Sequence, residues 1–215
     1  MTAAFAKTDR TRILRSAHNA AYDAATLHAI IDAAHICHVA FHDGTSTHCI
    51  PTACWREDKH LVIHGSNGSR LIKLLAQGTQ ACVTITHLDG LVLARAAFNH
   101  SMNYRSAIIY GQFERVDGAA AKRASMDAFM HKIAAGRLAD VRPGNDKEFA
   151  ATTVMRIALD EAACKLRTGG PNDDADDMGI QAWTGVLPLV QERGEPVAAP
   201  GCGVIEPAYV RAWRA

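Results

Sequence analysis

The stretch His64-Gly65-Ser66-Asn67-Gly68-Ser69-Arg70 combines residue types and spacing that suit a ligand. It reads as a strand end, a glycine turn and a helix start, with hydroxyls and an arginine in or before the first helical turn. Free N–H groups at a helix start, glycines that allow close approach and a guanidinium fork together suit a phosphate. The loop is neither a Gly-Lys-Ser/Thr phosphate loop nor GxGxxG. From this segment alone, a plain capped helix with Arg70 in solvent reads as well as an anion site.

A second polar stretch, Asn99-His100-Ser101-Met102-Asn103-Tyr104-Arg105-Ser106, leads into the strand Ala107–Tyr110 and Gly111. It fits a ligand-facing strand entry or a polar hairpin loop, and the local pattern favours the loop. Histidine is dense, with eight of eleven between positions 35 and 100. His38 and His42 share a strand face, as do His60 and His64, so a transition-metal site is geometrically conceivable. No HExxH, Glu-x-x-His or paired Cys/His spacing appears, and half-exposed strand histidines are the expectation. Asp173, Asp174, Asp176 and Asp177 lack the closing glutamate of an EF-hand and read as a solvated turn. No Gly-x-Ser-x-Gly elbow or carboxylate pair marks a hydrolase.

Several short elements must position these residues. Residues 1–22 are polar and basic and read as an arm. Asp23 is placed to cap a helix, Ala24 to Ala34, with Leu27, Ile30 and Ile31 as its apolar stripe. Strands are expected at His35–His42, His48–Glu57 and His60–His64, and a helix from Arg70 to Gln77 closed by Gly78. Further strands are expected at Thr79–Thr86, Leu91–Phe98 and Arg105–Val116. A helix capped by Asp117 follows, carrying Met126, Phe129, Met130 and Ile133, then a strand at Thr152–Leu159. Beyond lie a Gly/Pro/Asp loop and a loose tail. Strands and helices do not alternate, which argues against a doubly wound parallel sheet and for a small antiparallel barrel with helices outside it.

Composition fits one domain, taken as residues 23–190 between the arm and a tail at 191–215. Of the 215 residues 48% are hydrophobic and 21% charged, near the globular average. Lys plus Arg is 23 and Asp plus Glu is 22, a net charge of +1 that favours neither nucleic acid nor an anionic membrane. No apolar run approaches the roughly 20 residues that span a bilayer. Six cysteines form no CxxC, which suits a reducing cytoplasm.

Taken in order, Ile50-Pro51-Thr52, Leu61-Val62-Ile63-His64-Gly65-Ser66 with Ser69-Arg70, Cys82-Val83-Thr84-Ile85-Thr86, and Tyr104-Arg105-Ser106 with Gly111 resemble a known pattern. It is that of the pyridoxamine-5′-phosphate-oxidase-like FMN-binding split barrels. Within them the chain is most similar to the flavin-nucleotide-binding branch that includes the 5-nitroimidazole-resistance reductases. The likeness extends through Lys165-Leu166-Arg167 to Trp183-x-Gly185-Val186.

The resemblance implies a mainly β, six-stranded antiparallel split barrel, and a homodimer with FMN at its interface. It puts the phosphate-binding pair on Ser69 and Arg70, and the strand beside the flavin ring on His48, Ile50, Pro51 and Thr52. His64, Gly65 and Ser66 fall at the ring-contacting strand end, and Tyr104, Arg105 and Ser106 at the polar strand entry. Lys165, Arg167 and Trp183 fall in a segment that completes the flavin site. Leu71 stands where pyridoxamine-phosphate oxidases carry a lysine, so their substrate is not implied.

The function expected is an FMN-dependent oxidoreductase passing electrons or hydride from a small-molecule donor to a small acceptor, nitro-aromatic or quinone. His64 is the candidate catalytic residue. The alternatives are a flavin carrier or sensor without turnover and, because of the histidines, a haem-binding split barrel.

Overall fold

A computed structural model describes residue 5 and residues 7–214; the remaining parts of the expected arm and tail lie outside the described residues. The strands are β1 (Ala20–Ala21), β2 (Ile36–His42), β3 (Thr47–Glu57), β4 (His60–Ser66), β5 (Gln80–Leu93), β6 (Ser101–Arg115), β7 (Thr152–Ala158), β8 (Ala162–Arg167) and β9 (Gly185–Pro188). The helices that matter are α1 (Ala24–Ala33), α2 (Arg70–Leu75), α3 (Ala119–Ile133) and α4 (Asp146–Ala151). Six strands close a ring in the order β6-β7-β4-β3-β2-β5 and back to β6, each pair antiparallel. This is the expected split barrel with helices outside. β1 and β8 extend it beside β6, and β9 beside β5.

Alternation fills the ring. Val39 and Phe41 of β2, Val83 and Ile85 of β5, and Leu61 and Ile63 of β4 point inward with Ile109 and Ile157. Asp23 caps α1 as expected, accepting from the Thr26 N–H at 2.9 Å, and the helix drives Leu27, Ile30 and Ile31 into the same core. Each such fully buried side chain contributes roughly 1.5–3 kcal/mol. α2 adds Leu71, Ile72 and Leu75. α3 packs on the barrel's outer wall, where Met126 and Phe129 cover Trp55, Val62 and Val154.

Several elements differ from expectation. β5 is one strand where two were expected, and Ala94–Phe98 lies outside it. The Asp89-Gly90 pair is absorbed as a bulge between Leu88 and Gly90, and pairing to β6 resumes beyond it. β6 begins at Ser101, so the polar stretch is strand from Ser101 onward, and only Asn99 and His100 lie in the turn before it. Gly118, whose φ of +85° turns the chain, stands at the N-cap of α3, and Asp117 makes no cap. The arm is tied down: the Thr8 hydroxyl donates to Glu161 at 2.7 Å, the Tyr22 hydroxyl donates to the Thr11 carbonyl at 3.1 Å, and Ala20 and Ala21 pair with β8. No helix among the described residues is long and apolar enough to cross a membrane.

Candidate functional site

The ring is open along one seam. β3 and β4 pair only from Glu57/His60 to Cys54/Ile63. Beyond that point β3 follows β2 through residues 47–53, while β4 follows β7 as far as Ser66. The edges of 47–53 and 64–66 that face the seam pair with no strand among the described residues. Unpaired backbone N–H and C=O groups need partners, and a flat heterocycle with a hydrogen-bonding edge can supply them. Pro51, which has no N–H, is tolerated at such an edge. Ile50 packs against the core, and alternation puts His48 and Thr52 on its face. His48 stacks on Phe41 with centroids 5.3 Å apart, and its Nε2 lies 2.7 Å from Asp43. The N–H groups of Ser46 and Thr45, with His48, hold the Asp43 carboxyl well below the usual carboxylate range.

At the top of the seam the turn has the chemistry its sequence suggests. A Cβ on Gly65 would lie 2.9 Å from Cγ1 of Ile72, so only glycine lets α2 sit this close without a shift. Ser69 caps α2, its Oγ accepting from the Ile72 N–H at 3.2 Å, which leaves its proton free to donate. The Ser66 Oγ accepts from Gly68 N–H at 3.3 Å. Asn67 anchors the turn, donating to the Ala150 carbonyl at 2.7 Å and accepting from the Thr153 hydroxyl at 2.6 Å. Arg70 is exposed and makes no ion pair among the described residues. The turn therefore presents an uncommitted guanidinium beside two hydroxyls.

His64 points away from the barrel interior, on the face it shares with Val62. Its ring lies 4.6 Å from Phe129 and 5.8 Å from Trp55, centroid to centroid. Nδ1 is sealed from solvent without a hydrogen-bond partner. Burial lowers the pKa of this imidazole below its ordinary value, which favours the neutral ring.

The remaining expected residues gather on β6 and β8. Tyr104 pairs with Arg167 and Ser106 with Lys165, so these four share one face. The Ser106 hydroxyl donates to the Lys165 carbonyl at 3.1 Å. Arg167 is committed to structure, donating to Asn103 Oδ1 at 2.6 Å and the Gly170 carbonyl at 2.8 Å. Arg105 pairs with Asp89. Trp183 is 65% exposed and lies over Gly185, where an added Cβ would be 2.8 Å from the indole. The acidic loop is not simply solvated: Asp173 accepts from the Arg95 backbone N–H at 2.7 Å and pairs with its guanidinium. Those bonds hold its carboxyl below the usual range. Local pattern gave Asn67 only as part of the turn and Phe129 only as part of a helix stripe, and it revealed neither Trp55 nor Asp89, because each matters through a partner distant in sequence. No group of three or more His, Cys, Asp or Glu among the described residues could hold a metal ion by itself.

A six-stranded antiparallel ring with one open seam and helices outside defines a split-barrel protein of the flavin-binding type. The family profile described as pyridoxamine 5'-phosphate oxidase matches residues 23–166, and the chain belongs to that family. It is similar to the flavocytochrome Anf3 from Azotobacter vinelandii, at 35% identity and TM-score 0.91, over 96% of this chain and 97% of that one. It is similar also to an FAD- and haem-binding protein from Mycobacterium smegmatis, at 35% identity and TM-score 0.86, over 91% and 97% of the two chains. A protein from Bacteroides thetaiotaomicron of the 5-nitroimidazole antibiotic resistance type shares the fold at 22% identity and TM-score 0.55, over 66% and 83%. No curated protein matches the chain.

Proposed function

We propose that this chain is a flavocytochrome-like oxidoreductase that holds a flavin nucleotide at the open seam and a haem on His64, passing electrons to a small acceptor. The observation that carries the reading is the likeness, at 35% identity over more than nine-tenths of each chain, to a flavocytochrome and to an FAD- and haem-binding protein. That likeness favours FAD over the FMN expected from sequence. It also brings forward the haem reading that the histidine density had kept open.

The residues fit both groups. Arg70 and the Ser69 and Ser66 hydroxyls suit the nucleotide's phosphate, and the free edge of His48–Thr52 suits the flavin's hydrogen-bonding rim. With Nδ1 enclosed, His64 meets any outside ligand through Nε2, and its neutral form is the one that ligates iron. Trp55 and Phe129 hold the ring in place and keep water from it. When bound, the flavin supplies two-electron and hydride chemistry and the haem one-electron chemistry.

Leu187, Leu91 and Met102 line up across β9, β5 and β6 and are 45%, 38% and 51% exposed. An exposed apolar row of this kind suits burial against a second copy, and we take the working form to be a homodimer. All six cysteines are free thiols, which supports a cytoplasmic setting.

Stopped-flow reoxidation tests the function. Chemically reduced protein should pass electrons to a quinone, a nitro-aromatic compound or oxygen faster than free flavin does. Reoxidation no faster than free flavin for every acceptor would mean a carrier or sensor.

A further inference from the structure

Outside the seam a cleft of about 520 Å³ lies between one flank of α3 and the chain from Leu138 to Thr152. Met126, Met130, Leu138, Val141 and Phe149 make its walls apolar. Two charged residues at the cleft are uncommitted. Arg123 stacks its guanidinium 4.7 Å from the Phe149 ring centroid and has no carboxylate partner among the described residues. Asp127, also in the lining, makes no hydrogen bond among them. Arg142, by contrast, is held by Glu148 through bonds of 2.9 and 2.7 Å.

The cleft adjoins the turn proposed above for the phosphate. Thr152 in its lining pairs with Ser66 across β4 and β7. Its α4 wall is joined to the turn through Asn67, whose N–H donates to the Ala151 carbonyl at 3.0 Å and whose amide donates to Ala150. A ligand whose phosphate sits at Ser69 and Arg70 therefore has one wall in common with the cleft.

We propose that this cleft takes the adenosine monophosphate portion that FAD adds to FMN and so selects the dinucleotide over FMN; the proposal rests on the flavin reading above. An adenine has flat, weakly polar faces, which thioethers and a phenyl ring accommodate well. Arg123 is placed for the added phosphate, where a planar fork does more than a point charge. Asp127 can accept from a ribose hydroxyl or the exocyclic amine. The lining contains no histidine, cysteine or tyrosine, so the cleft offers none of the usual protein ligands of a haem iron other than methionine.

The test uses the full chain, freed of flavin and titrated with FAD, FMN and ADP. Wild type should bind FAD at least tenfold more tightly than FMN, and ADP should compete with FAD. Arg123→Glu, and Val141→Trp to fill the cleft, should bring FAD down to the FMN level and leave FMN unchanged. Equal wild-type affinity for FAD and FMN would overturn the proposal. So would variants that lose both flavins alike, or variants that keep the preference. A wild-type chain that binds neither flavin overturns the flavin reading itself, and this proposal with it.

Discussion

Arg105 and Asp89 face one another beside the β5 bulge, joined by two hydrogen bonds of 2.9 and 2.8 Å. The guanidinium holds the Asp89 carboxyl below the usual carboxylate range. Its own charge is thereby balanced, so it has less to offer an anion than the unpaired Arg70. The two arginines should behave oppositely. Arg70→Ala should weaken flavin-nucleotide binding by about 1.5–3 kcal/mol, roughly ten- to a hundredfold, and leave riboflavin binding unchanged. Arg105→Met should leave both within about threefold, since a pair at the surface is worth about 0–1 kcal/mol. Fluorescence titration with FAD, FMN and riboflavin measures all of these. Equal losses from the two substitutions would mean that the phosphate lies elsewhere.

Gly90 lets β9 dock on β5. A Cβ there would lie 3.0 Å from both the Leu187 carbonyl oxygen and Cγ1 of Val186. Gly90→Ala should therefore push β9 off and destabilise the fold by about 1–3 kcal/mol. Faster hydrogen exchange at residues 185–188, with little change in β2 to β4, is the expected signature. Unchanged exchange there would show that β9 adapts without cost.

The barrel strands and α1 were legible because they rest on local signals, an alternating period or an Asp23 cap. The turn at Ser66–Arg70 was legible for the same reason: its glycines, hydroxyls and arginine are neighbours in the chain. β8 is only six residues long and lacks a clear apolar alternation, and it exists because β6 offers it an edge. The seam cannot be seen in either strand alone, since it is defined by where β3 and β4 stop pairing. The surroundings of His64 come from β3 and α3, and no local pattern announces them.

Glu148 provides a pH test of the cleft wall. The Arg142 guanidinium and the Asn145 N–H lower its carboxyl from the ordinary 4.5 to about 2. A carboxylate depressed on folding adds stability that is complete above the ordinary value and lost as pH falls through the folded one. The capping box of α4 should thus hold at pH 5 and loosen between pH 4.5 and 2. Carboxyl-carbon NMR should place the Glu148 midpoint well below 4.5. A midpoint at 4.5 would mean that neither contact persists in solution.

The thiols report on the barrel itself. Cys49 and Cys202 are exposed, whereas Cys37, Cys54 and Cys164 are buried. Burial pushes the Cys164 thiol up to about 12, which keeps it protonated and unreactive near neutral pH. Brief alkylation of native protein at pH 8 should label Cys49 and Cys202 and spare the buried thiols until denaturant is added. Rapid native labelling of Cys37 or Cys164, read by peptide mass spectrometry, would contradict the packed barrel core.

The absorption spectrum of protein purified from haem-replete cells decides whether both groups are bound. A Soret band together with a flavin doublet is expected. In His64→Ala the Soret band should disappear while the flavin doublet stays. Wild-type protein with flavin and no Soret band would show that His64 holds no haem. A Soret band that survives in His64→Ala would move its ligand elsewhere, and the absence of both chromophores would contradict the proposed function as a whole.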